Sequence, residues 1–192
     1  MVDYLEIYSI IVLSIYSWKG VFFMSSEVVI VLDFGYSLDD NNLSTVDEIA
    51  LATLQYAKSR DYNCVILAQS KTYEQIGGLS GWKLDQLYEL PVGQSTSFGT
   101  GGGSTWQVLN AAKDFMNQHD LGTDAVLFTH ELHFDRAQKQ AAKIGIRVQK
   151  PEHALLPILC HSTAAQWWCR NRLFWRLREM FGCILLKQKG QL

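Results

Sequence analysis

The run from Val28 to Leu32 is unbroken, apolar and mostly β-branched, and it ends at Asp33, Phe34 and Gly35. A strand with one wet face alternates polar and apolar residues, so a continuous run predicts a central parallel strand covered on both sides. Parallel strands need crossovers, usually helices. Ser44, with Asp47 three residues on, makes a capping box ahead of Val46, Ile49, Ala50, Leu54 and Ala57, which recur at helical spacing. Cys64 to Ala68 reads as the second buried strand, and strand, helix, strand in that order implies a right-handed crossover.

The pattern is less regular after Ser70. Trp82 to Leu90 has helical periodicity, but Gly77, Gly78, Gly81, Pro91 and Gly93 cut this region into short pieces. Ser104 and Gln107 form a second capping box, opening a helix from Thr105 to about His119. Asp124 to Thr129 reads as the next strand, a helix then runs to near Gly145, and Ile146 to Val148 is a short last strand stopped by Pro151. This alternation predicts a single α/β domain with a doubly wound, mainly parallel sheet, its core spanning about Val28 to Val148. Ligands of such sheets bind beyond the carboxyl ends of the strands.

The outer segments divide the chain into an N-terminal apolar stretch over 1–24 and the α/β domain over 25–192. Ile7 to Trp18 carries no charge but is bounded by Glu6 and Lys19, which leaves it shorter than a bilayer span of about 20 residues. It reads equally as a surface or buried helix, as an anchor over 4–24 if Lys19 reaches the interface, or as an extension ahead of a start at Met24. At the other end, Ala164 to Leu186 predicts an amphipathic helix with Trp167, Trp168, Phe174, Leu177, Phe181 and Ile184 among its apolar positions. The preferred reading docks those aromatics on the domain with the arginines in water. The alternative lays the helix on a membrane surface.

Overall composition is that of a globular protein, 48% hydrophobic and 19% charged. A net charge of −2 is too small to suggest a nucleic-acid partner, since phosphate-backbone binding normally needs a clustered basic surface. The charge is unevenly spread. Arg170, Arg172, Arg176, Arg178, Lys187 and Lys189 face Glu179 alone in 166–192. The four cysteines, Cys64, Cys160, Cys169 and Cys183, form no CxxC pair and read as reduced thiols of a cytoplasmic protein, or an inner-membrane-associated one if 4–24 is an anchor.

Three segments are expected at the carboxyl edge of the sheet. Asp33 follows the first strand and offers a carboxylate for acid/base chemistry or for a ribose hydroxyl. Gly101, Gly102 and Gly103 lead into Ser104 and Thr105, where backbone N–H groups and a helix N-terminus suit phosphate or carboxylate. It is neither a P-loop nor a dinucleotide fingerprint, since no GK[ST] follows and no first strand precedes it. His130, His133 and Arg136 stand where a strand hands over to a helix. Arg136 suits a bidentate anion, and His133 a general acid or base. The spacing of His130 and His133 is not that of a zinc-binding HExxH helix, so no metal is assigned.

Thr129 to Ala137, with Gly145 to Val148 after it, resembles the S-x-x-H-x-x-R-A signature of the YdcF/SanA/ElyC-like family, a bacterial domain of unknown function. Ser104, Thr105 and Gln107 are similar to that family's S-x-N-T-x-E-N helix start. The stretch from Trp175 to Gly182 is similar to its W-x-x-R-E-x-x-G helix. The resemblance covers about Val28 to Leu186. The chain departs at Asp33, where the family has a glycine turn, at Asp47 and Glu48 instead of an arginine, at Gln69 after the second strand, and at Gln107 instead of an acid. His133, Arg136, Ser104 and Thr105 are therefore the positions carried over. The resemblance implies a Rossmann-like α/β fold and, for some members, a role in the cell envelope.

These readings converge on a protein that holds an anionic, phosphorylated or nucleotide-like small molecule between Gly101 to Thr105 and Arg136. Group transfer or hydrolysis is the matching reaction class. The competing reading is a non-catalytic envelope-associated protein working at the membrane surface. No cofactor, substrate or oligomeric state is set by the sequence.

Overall fold

The computed structural model of the chain describes residues 27–33, 44–80, 86–90, 104–152, 156, 160, 164 and 167–192. The expectations for residues 1–24 and for Gly101, Gly102 and Gly103 lie outside the described residues. Among the described residues there are five strands: β1 (Glu27–Val31), β2 (Cys64–Ala68), β3 (Leu87–Glu89), β4 (Asp124–Phe128) and β5 (Arg147–Gln149). Between and after them run α1 (Thr45–Ser59), α2 (Ser70–Ser80), α3 (Thr105–Gln118), α4 (Glu131–Lys143) and α5 (Arg172–Gln188). The strands lie in the order β3-β2-β1-β4-β5, and every pairing is parallel. This is a doubly wound α/β sheet, consistent with a Rossmann-like fold.

β1 is central because its side chains demand it. Val28, Val29, Ile30 and Val31 are all buried, as are Ile66, Leu67, Leu127 and Phe128 on the strands either side. Each such side chain withdrawn from water contributes ~2 kcal/mol. Tyr56 of α1 meets the Phe128 ring edge-on at 5.4 Å. The winding reverses between β1 and β4, where Val31 is level with Phe128. Right-handed crossovers in opposite directions put helices on opposite faces. α1 packs with α2, and α3 packs with α4.

Both capping boxes form as their sequences require. Ser44 and Asp47 exchange side-chain and backbone hydrogen bonds at the start of α1, and Ser104 and Gln107 do so at the start of α3. α4 ends in a Schellman turn, with Gly145 at φ 84° and the Ile146 N–H donating to the Ala141 carbonyl.

Three local features differ from the sequence expectation. α2 forms in spite of Gly77 and Gly78, because Thr72 and Ile76 are buried and its first N–H groups find an acceptor in Asp33. Leu87 to Glu89 is a short edge strand, its register fixed by pairing with Ile66 to Ala68. α5 begins at Arg172, after a 3-10 turn over Trp167–Arg170, and it docks through the opposite face to the one expected. Trp175 and Glu179 are its buried residues, while Phe174, Leu177, Phe181 and Ile184 are exposed. No helix among the described residues is long and apolar enough to cross a membrane.

Candidate functional site

His130 and Asp33 each come two residues beyond the last paired rung of their strands, at the reversal point where open α/β sheets bind ligands. His130 is the N-cap of α4. Its Nδ1 accepts from the Leu132 N–H at 3.1 Å, which puts the proton of the neutral ring on Nε2. The fully buried ring stacks on Trp175 of α5 at 3.8 Å. His130 thus joins α5 to the domain.

One turn further into α4, His133 is completely buried and lies between two elements distant in sequence. Its Nε2 is 3.0 Å from the hydroxyl of Thr105, the first residue of α3. Its Nδ1 is 3.2 Å from both carboxylate oxygens of Glu179 on α5. Arg136 donates to the same carboxylate through Nε at 2.5 Å and Nη2 at 3.1 Å, and Nη2 lies 3.0 Å from the His133 Nδ1. Two tautomers satisfy this ring. With the proton on Nδ1, His133 donates to Glu179 and accepts from Thr105; with it on Nε2, the ring donates to Thr105 and accepts from Arg136.

Burial pulls the His133 pKa down to about 4, and the Arg136 charge pulls the same way against Glu179. The ring is neutral at pH 7. Burial would push Glu179 up, but the hydrogen bonds and charges of His133 and Arg136 outweigh it and hold the carboxyl at about 2. Arg178 precedes Glu179 on α5 and lies over the Trp168 ring at 4.1 Å. Burial and the neighbouring Arg136 lower its pKa from the ordinary guanidinium value. Two guanidinium groups against one carboxylate leave the cluster with one excess positive charge.

Asp33 serves a different group. Its carboxylate accepts from the Lys71 and Thr72 N–H groups at 3.2 Å and from the Thr72 hydroxyl, so it caps α2 from across the sheet. Its own N–H donates to Gln69 Oε1 at 2.7 Å. Desolvation at the sheet edge raises its pKa to about 6 against those hydrogen bonds. Ser104 is exposed and spent on its capping box. The structure therefore brings together Thr105, His133 and Arg136, adds Glu179, gives His130 a structural place beside them, and turns the Asp33 carboxylate towards α2.

Glu179 is the member that residue-level reasoning passed over. The signal was there, a lone acid in a strongly basic helix, four residues after a tryptophan. Thr129, at the tip of β4, is also fully buried, and its hydroxyl has no hydrogen-bond partner among the described residues. In the described residues no group of three His, Cys, Asp or Glu side chains is placed to hold a metal ion. The cysteines are free thiols, and burial raises Cys64 to about 11 and Cys169 to about 12. No family model, curated protein or solved structure matches this chain.

Proposed function

We propose that this chain is a YdcF-like protein that binds a phosphorylated or nucleotide-like small molecule at the carboxyl edge of its sheet and carries out group transfer or hydrolysis there. The observation that carries this reading is the line from the Thr105 hydroxyl through His133 to Glu179. A hydroxyl, a neutral imidazole and a carboxylate that orients it are the parts of a general-base or nucleophile-activating relay. In the tautomer with Nδ1–H on Glu179, Nε2 accepts the Thr105 proton. Glu179 then fixes the ring and offsets the positive charge it gains.

The surroundings support an anionic ligand. α3 and α4 both start at this edge, so their N-terminal N–H groups and dipoles add positive potential beside Thr105. Arg136 and Arg178 exceed Glu179 by one charge. Thr129 supplies a buried hydroxyl at the neighbouring strand tip.

Mass spectrometry of small molecules retained by the purified protein tests the reading, with thermal shifts under added nucleoside mono-, di- and triphosphates. Thr105→Val keeps the volume and removes the hydroxyl. A phosphorylated ligand whose affinity drops about fivefold or more in that variant is the expected result, the effect of losing one hydrogen bond. An empty wild-type protein with no shift from any of these compounds overturns it.

A further inference from the structure

α5 is amphipathic with its faces exchanged. Trp175, Glu179 and Gly182 fall at i, i+4 and i+7, and this row turns inward: Trp175 stacks on His130, Glu179 grips Arg136, and Gly182 faces the Arg136 side chain. The opposite side is apolar. Leu173, Leu177, Met180 and Ile184 form one row with Phe174 and Phe181 beside it, and each is between 39% and 63% exposed. With Leu185, this helix carries seven of the ten exposed large hydrophobic residues among the described residues; the other three, Leu51, Tyr62 and Leu79, are scattered. A contiguous stripe of that size on a single helix marks a contact surface.

Charge selects the partner. Arg172, Arg176 and Lys187 are exposed and border the stripe, whereas the only acid of the helix, Glu179, is buried against Arg136. The outer surface of α5 therefore presents apolar residues edged by cations, with no carboxylate. Residues 166–192 have a net charge of +5 and the rest of the chain −7. Two copies meeting through this face would bring two such basic helices together.

We infer that α5 is a membrane-surface helix that lays its outward stripe into an anionic phospholipid bilayer. Its 17 residues reach ~26 Å along the plane of the interface. The apolar row enters the boundary between headgroups and acyl chains, and the bordering arginines and lysine meet lipid phosphates. The acidic remainder of the molecule is repelled by the same surface, which turns the helix towards the lipid.

The test is cosedimentation of the full chain with vesicles of phosphatidylcholine alone and of phosphatidylcholine mixed with phosphatidylglycerol. Binding to the mixed vesicles that is about tenfold weaker without phosphatidylglycerol, and that weakens with added salt, is the expected result. Because Leu177 and Phe181 face outward, Leu177→Glu with Phe181→Glu leaves the fold intact, checked by circular dichroism. It should reduce binding by on the order of tenfold or more. Absence of binding to the mixed vesicles overturns the inference. So does equal binding by the double variant, which would assign the contact to another segment. A wild-type dimer in light scattering that Phe181→Glu dissolves would make the stripe a self-interface instead.

Discussion

Acidification offers a direct measure of how far the His133 site is sealed from water. The unfolded chain takes up a proton at this imidazole near its ordinary value of 6.5, whereas the folded chain resists until about 4. Within that window the unfolded state binds more protons, so stability falls as pH is lowered. At ~1.4 kcal/mol per pH unit of displacement, the loss between pH 7 and pH 5 comes to about 2 kcal/mol and approaches ~3 kcal/mol once both states are protonated. Glu179 acts lower down. Its contribution is fully present above 4.5 and disappears as pH falls towards about 2, outside this interval. Urea denaturation of the wild type and of His133→Gln at pH 7 and pH 5 isolates the effect, since every other titrating group is shared. The wild type should lose about 2 kcal/mol more than the variant over that interval. Identical losses in the two proteins would mean that the ring is as well solvated folded as unfolded, and the sealed network would be refuted.

Asp33 runs the other way. Its raised pKa contributes stability that is full below 3.8 and is lost as pH rises through about 6, so between pH 5 and pH 7 Asp33→Asn should gain about 1 kcal/mol relative to wild type, after discounting for partial exposure. A gap that does not change with pH in parallel denaturation curves would refute it. Gly182→Ala should stabilise the protein by ~0.5–1 kcal/mol, because an added Cβ would sit at an ordinary 3.9 Å from Arg136 and alanine favours the helix. Gly145→Ala should cost about 1 kcal/mol at its positive φ, and opposite shifts in melting temperature for the two glycines are the result to look for.

What was readable from the chain depended on whether the determining contact was local. β1, β2 and β4 are short apolar runs, and α1 and α3 open on capping boxes whose two members are three residues apart, so all five could be placed without coordinates. α2 could not. Its N-terminal acceptor is Asp33, 38 residues from Lys71, and its own sequence shows only the two glycines that argue against a helix. β3 is three residues long and takes its conformation from Ile66 to Ala68 beside it. The face of α5 was misjudged because hydrophobicity was assumed to point inward, whereas ring stacking and an ion pair set its rotation. Thr105, His133 and Arg136 were legible as candidates, but their meeting required a third segment more than forty residues beyond.

The central position of β1 also governs how the molecule can be made. Val28 to Val31 are translated before their partner on one side, Val126 to Phe128, which follows nearly a hundred residues later. Until then the nascent sheet exposes a bare apolar edge of the kind that invites mispairing. The His133 network closes only when Glu179 emerges, later still than β4, so α5 completes the cluster after the sheet is already paired.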